Sequence, residues 1–189
     1  MAPGTRWVGG RCAPPAGRCR RRAGVSAPTE RHATALIVGR FDPPHLGHSY
    51  MIEWAAARSD RLVVFVNSSS ERDTAPGSLR AAWLSDLHRD VTVIEVRHRL
   101  GTDFDDEELW ERWMTLFRHH WPHEDGQHAV FSSDTYVVEL AARFDAAHVV
   151  VDADRVTVPI SATEIRERPA DHLDRLAPEV RAWIESNWL

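Results

Sequence analysis

The chain has 189 residues, enough for one domain with a substantial core, and its formal charge of −5 argues against a general nucleic-acid binder, which would be basic. Hydrophobic residues make up 43% and charged residues 27%, an ordinary soluble composition, and no apolar run approaches the ~20 residues of a membrane span. All 23 basic residues are arginine, so any phosphate-binding cation here is arginine or histidine.

Residues 1–33 are rich in Pro, Gly and Arg and hold no acidic residue before Glu30. They lack an apolar stretch for secretion and read as a disordered or untranslated N-terminal segment, with translation from Val25 or a transit peptide as variants of that reading. Cys12 and Cys19 fit no common zinc spacing and form no disulfide framework, so a reducing, cytoplasmic setting is expected. The folded domain is expected over 34–189.

From there the chain alternates. Short apolar runs at 33–39, 61–67, 91–96, 129–133 and 147–152 read as strands buried on both faces. Helical patterns fall at 48–59, 78–88, 106–120, 135–144, 162–167 and 178–187. The polar stretch 67–78 between the second strand and second helix reads as a mobile loop. Such alternation predicts an α/β fold, a Rossmann-like doubly wound parallel sheet of about five strands in a single domain. Ligands in such folds bind beyond the C-terminal ends of the strands.

The stretch "GRFDPPHLGH", Gly39 to His48, leaves the first strand at that rim and enters the first helix. Gly39 permits close approach of backbone to ligand, Gly47 lets the helix start closely packed, and the prolines stiffen the turn. A helix N-terminus suits an anion, and His45 and His48, three apart, face one way if helical geometry begins there. The pair could bind phosphate or a metal, but no third metal ligand lies nearby, so no protein metal site is expected.

With "GRFDPP" before it, "HLGH" resembles the HxGH nucleotidyltransferase superfamily, which carries G-x-F-x-P-x-H-x-G-H. The second superfamily signature, I-S-x-T-x-x-R, is matched by "PISATEIRERP", about 115 residues later. The stretches "PGSLRAAWLSDL", "LWERWM", "AVFSSDTY" and "VVVDADRVTVPISATEIRERP" further resemble the adenylyltransferase domain of the bifunctional nicotinamide-nucleotide adenylyltransferase/ribosylnicotinamide kinase family. No Gly-rich loop with Lys is present for that family's kinase domain.

The resemblance implies attack of a substrate phosphate on the α-phosphorus of a nucleoside triphosphate, with release of pyrophosphate. His48 is then the partner of the α-phosphate, His45 of its neighbours, and Arg166 a fork on the phosphates. Gly39, Arg40 and Phe41 would offer backbone N–H groups, with Gly47, Ser161 and Thr163 at the two helix starts. Asp42 either orients His48 or a water, or caps the turn. Asp152 and Arg155 follow the fifth strand, where the family handles the base, and Ser132, Ser133 and Asp134 follow the fourth at the acceptor rim. Trp110 and Trp113 either stack on an aromatic acceptor ring or pack one helix face into the core. Mg²⁺ would arrive with the triphosphate. Ala162 stands where the family usually has Gly, and "DHLDRL" where it tends to place Trp.

The implied reaction is ATP plus nicotinamide mononucleotide giving NAD. The alternatives are CTP-dependent transfer to a small phosphonate and a catalytically idle nucleotide-binding regulator. Expected partners are a nucleoside triphosphate and a small phosphate or phosphonate acceptor, with no nucleic acid and no membrane; self-association is left open.

Overall fold

The computed structural model describes residues 31–103, 105–134 and 137–189. Expectations for residues 1–30, and for the start of the fourth helix at 135–136, lie outside the described residues. Five strands, β1 (His32–Gly39), β2 (Ser59–Ser68), β3 (Thr92–Arg97), β4 (Ala129–Ser132) and β5 (Ala147–Val150), form one parallel sheet in the order β3-β2-β1-β4-β5. β1 begins two residues earlier than the sequence boundary of 34, pairing His32 with Ser59.

Helices α1 (Leu46–Ala56) and α2 (Gly77–Leu87) cover one face, and α3 (Glu107–His120) and α4 (Val137–Arg143) the other. Strand alternation explains the division. In β1, Leu36 and Val38 pack with Trp110, Trp113 and Leu140 of α3 and α4, while Ala35 and Ile37 pack with Met51, Ile52 and Leu84 of α1 and α2. Both sides of β1 and β2 are thus buried, which is why their sequences are nearly continuous apolar runs. α3 is held in place by Asp106 at its N-cap, which accepts from Leu109 N, with acidic residues in its first turn and Arg118, His119 and His120 in its last.

A third cluster, built from Trp83, Ile160, Ile165, Leu176, Val180 and Ile184, joins α2 to the C-terminal helices α5 (Ala162–Glu167) and α6 (Pro178–Asn187). A 3-10 stretch, Pro169–Arg175, unmarked by apolar periodicity, links those helices. No helix among the described residues is long and apolar enough to cross a membrane.

The loop expected to be mobile is instead tied down. Residues 67 and 68 belong to β2, and Ala75 is fully buried. The buried carboxylate of Asp42 accepts from Thr74 N (2.9 Å), the Thr74 hydroxyl (2.7 Å) and Ala75 N (3.0 Å). Gly77 is required where this loop enters α2, because a Cβ there would lie 2.2 Å from Ser68 Cβ.

Candidate active site

The sheet order reverses direction between β1 and β4, and a crevice opens where the connections from those two strands diverge. "GRFDPPHLGH" leaves β1 at this crevice. His45, only 6% exposed, is the N-cap of α1: its Nδ1 accepts from Gly47 N at 3.1 Å. In the neutral ring the proton therefore sits on Nε2. Gly47 makes this possible, since a Cβ there would stand 3.0 Å from His45 Cε1.

The helix starts at Leu46, so His48 lies in its first turn and stacks on His45 with ring centroids 3.7 Å apart. Phe41 packs edge-on against His48 at 4.8 Å. Phe41 has a φ of 52°, a region a bulky side chain rarely adopts, and this backbone turns its ring under the histidine. Gly39 leaves room for that ring, which a Cβ would approach to 3.1 Å.

Both imidazoles are held neutral. Burial, then the positive charge of Arg155, lowers His45 to about 4. Burial lowers His48 well below the usual histidine value, with His45 and Arg155 adding to it. Nδ1 of His48 is buried and has no hydrogen-bond partner within the protein.

These residues line a cavity of about 320 Å³, and so does every other site residue expected from the sequence except the two tryptophans. Arg166 reaches it from α5, donating to the Asp42 carbonyl and to Thr163 Oγ1 (3.0 Å). Ser161 caps α5 by accepting from Glu164 N (3.2 Å) and donates to the Glu164 carboxylate (2.6 Å), an arrangement written in the spacing S-x-x-E. Arg155 stands 3.8 Å from Asp134 across the mouth.

One expectation needs correction and two gain detail. Asp42 does not orient His48; its carboxylate is occupied by the 74–75 backbone, the Thr74 hydroxyl and Arg40 (3.0 Å). Asp152 also turns inward on its own loop, accepting from Val156 N (2.9 Å) and Thr157 N (3.0 Å). The acceptor set is divided: Ser132, Ser133 and Asp134 line the histidine cavity, whereas Trp110 and Trp113 line a second cavity of about 250 Å³. The two cavities share Val38, Gly39 and Arg40. The tryptophans are 5% exposed, as core packing requires, and they also form a cavity wall.

Sequence reasoning missed one buried group behind this turn. Arg80 is completely buried and donates to the carbonyls of Ala75 (2.9 Å), Arg40 and Asn67 (3.3 Å), and to the Asp73 carboxylate. A guanidinium with these fixed partners braces the backbone of the turn after β1 from behind. The available signal was its place in "PGSLRAAWLSDL", at a helical position flanked by core residues.

A family model described as cytidylyltransferase-like matches residues 36–168. The nicotinamide-nucleotide adenylyltransferase of Aeropyrum pernix is 46% identical over 46 residues, 24% of this chain and 27% of that protein. Among solved structures, the NadR protein in complex with NAD and AMP-PNP aligns with a TM-score of 0.58 at 23% identity, covering 76% of this chain and 44% of that one. The bifunctional NMN adenylyltransferase/ADP ribose pyrophosphatase of Francisella tularensis, complexed with AMP and a Mn ion, aligns with a TM-score of 0.54 at 19% identity. It covers 79% of this chain and 44% of its own. The chain thus spans less than half the length of each, and the structural likenesses establish the fold.

Proposed function

The chain belongs to the cytidylyltransferase-like family, and on that premise we propose that it transfers the adenylyl group of ATP to nicotinamide mononucleotide, forming NAD and releasing pyrophosphate. The observation that carries the reading is the stacked, neutral His45–His48 pair facing Arg166 across a cavity at the sheet's switch point. The Aeropyrum pernix relative and the NadR fold support the choice of substrates. The CTP-dependent phosphonate alternative draws no support from these relatives.

A phosphate monoester has a second pKa near ~6, so the acceptor is already an anion at neutral pH and needs no strong base. Its oxygen attacks the α-phosphorus while the bond to the bridging oxygen of the leaving pyrophosphate breaks. The protein supplies position and charge stabilisation. Neutral imidazoles suit this task. Each can donate an N–H to a phosphate oxygen, and the triphosphate's negative charge favours their protonation once it is bound. Nδ1 of His48 is unsatisfied within the protein, so this ring keeps hydrogen-bonding capacity that its own fold does not use. Arg166 adds a planar fork held by Thr163.

The carboxylate of Asp42 is occupied by the loop at 74–75 and that of Asp152 by its own loop, and no cluster of three metal-binding side chains occurs among the described residues. A divalent ion such as Mg²⁺ therefore fits this site as a passenger on the nucleotide's phosphates and water. When bound it would neutralise charge on the triphosphate.

The test is pyrophosphate release from ATP, CTP, GTP and UTP, each with nicotinamide mononucleotide and with a small phosphonate. ATP with nicotinamide mononucleotide gives the highest kcat/KM; use of CTP without use of ATP overturns the reading.

A further inference from the structure

The second cavity has an unusual edge. Its walls are apolar, formed by Trp110, Trp113, Phe117 and Leu140. Its polar side includes Asn67 and Asp73, each of which holds a buried Oδ1 that accepts no hydrogen bond. Buried acceptors without partners are uncommon in native proteins. From these, and resting on the acceptor assigned above, we infer that Asp73 and Asn67 read a hydrogen-bond donor on the acceptor's ring, so that the cavity takes a carboxamide and rejects the matching carboxylate.

The Asp73 side chain is only 8% exposed and cannot turn away. Its other oxygen, Oδ2, accepts from Ser69 N (2.7 Å) and from Arg80. Arg80 also holds the Asn67 carbonyl, so one buried guanidinium fixes both readers. The Arg40 guanidinium stands 3.7 Å from Oδ1, too far for a hydrogen bond. A carboxamide N–H₂ between the tryptophan wall and these oxygens would satisfy both. A carboxylate would bring a third acceptor to two that already lack donors.

The cations bordering the cavity do not offset this. Arg40 is engaged by Asp42 (3.0 Å) and by the Arg72 carbonyl (2.6 Å), and Arg72 donates to the Leu100 carbonyl (2.8 Å). His98 is packed edge-on against Trp113 at 4.3 Å, and its Nδ1 accepts from Leu100 N (3.2 Å). Burial and the neighbouring Arg72 lower its pKa, which keeps it neutral.

The test compares nicotinamide mononucleotide with nicotinic acid mononucleotide, measuring kcat/KM with ATP and binding by calorimetry. In the wild type the amide is favoured by about 10⁴-fold, because a site built around a substrate N–H rejects an analogue lacking it. Asp73→Asn and Asn67→Leu each reduce that ratio by about tenfold or more. Asn67→Leu leaves the Asp73–Arg80 pair intact, so it remains informative if Asp73→Asn folds poorly. A purely structural role would lower both substrates together and leave the ratio unchanged. An unchanged ratio in both variants, or a wild-type ratio near one, overturns the inference while adenylyl transfer stands. If neither mononucleotide is turned over, the proposed reaction fails and calorimetry decides the cavity: tighter binding of the amide supports the inference, and equal or absent binding overturns it.

Discussion

Acid should unfold this protein partly through His45, and the effect can be isolated. The folded state holds His45 at about 4, against about 6.5 in an unfolded chain. As pH falls below 6.5 the unfolded chain binds the proton first. The stability contributed by the neutral ring is therefore complete above pH 6.5 and is lost as pH falls towards 4. At pH 4.5 the two values give a loss of about 2–3 kcal/mol from this one side chain. His45→Asn supplies a non-titrating N-cap of the kind helices favour, able to accept from Gly47 N as the imidazole does. Urea unfolding of both proteins at pH 7 and pH 4.5 measures the difference: titrations away from this pair are common to both and cancel, while His48, which His45 also lowers, adds to the loss in the wild type. The wild type should lose about 2–3 kcal/mol more than the variant over that interval. Parallel losses would refute the argument that burial keeps this ring neutral.

Three other perturbations probe the same turn. His48→Ala should lower kcat by about 10²–10³ with a much smaller effect on substrate binding, as for loss of one donor to developing charge; steady-state kinetics within threefold of wild type would remove His48 from the chemistry. Gly47→Ala places a methyl 3.0 Å from His45 Cε1, so the cap must shift; about 1 kcal/mol of stability and a larger share of activity should be lost, read by urea unfolding and turnover. Asp42→Ala leaves Thr74, Ala75 and Arg40 without their acceptor and should cost about 3 kcal/mol, seen as a lowered urea midpoint, with an unchanged midpoint counting against the clamp.

The amino-acid sequence by itself determined the local elements and the place of the histidines. Burial on both faces leaves continuous apolar runs, so β1 and β2 were legible within two residues at either end. A glycine- and proline-bounded loop between a strand and a helix has few places to go in a doubly wound fold, so His45 and His48 could be assigned to the active rim. The cap of α5 was equally local, since Ser161 and Glu164 are three residues apart.

Only the tertiary structure decided what lies across the sheet. The order β3-β2-β1-β4-β5 arises from pairings between residues 27 positions apart in β1 and β2, and 94 apart in β1 and β4. Asp42 looked like a turn or catalytic carboxylate because its partners lie 32 and 33 residues away. Arg80 gave the pattern of an ordinary helical arginine, because its burial depends on the Arg40 carbonyl and Asp73 arriving from other elements. The same separation divided the acceptor residues between two cavities. Periodicity records whether a residue is buried, whereas the partner of a buried polar group is set by chain packing that no local pattern encodes.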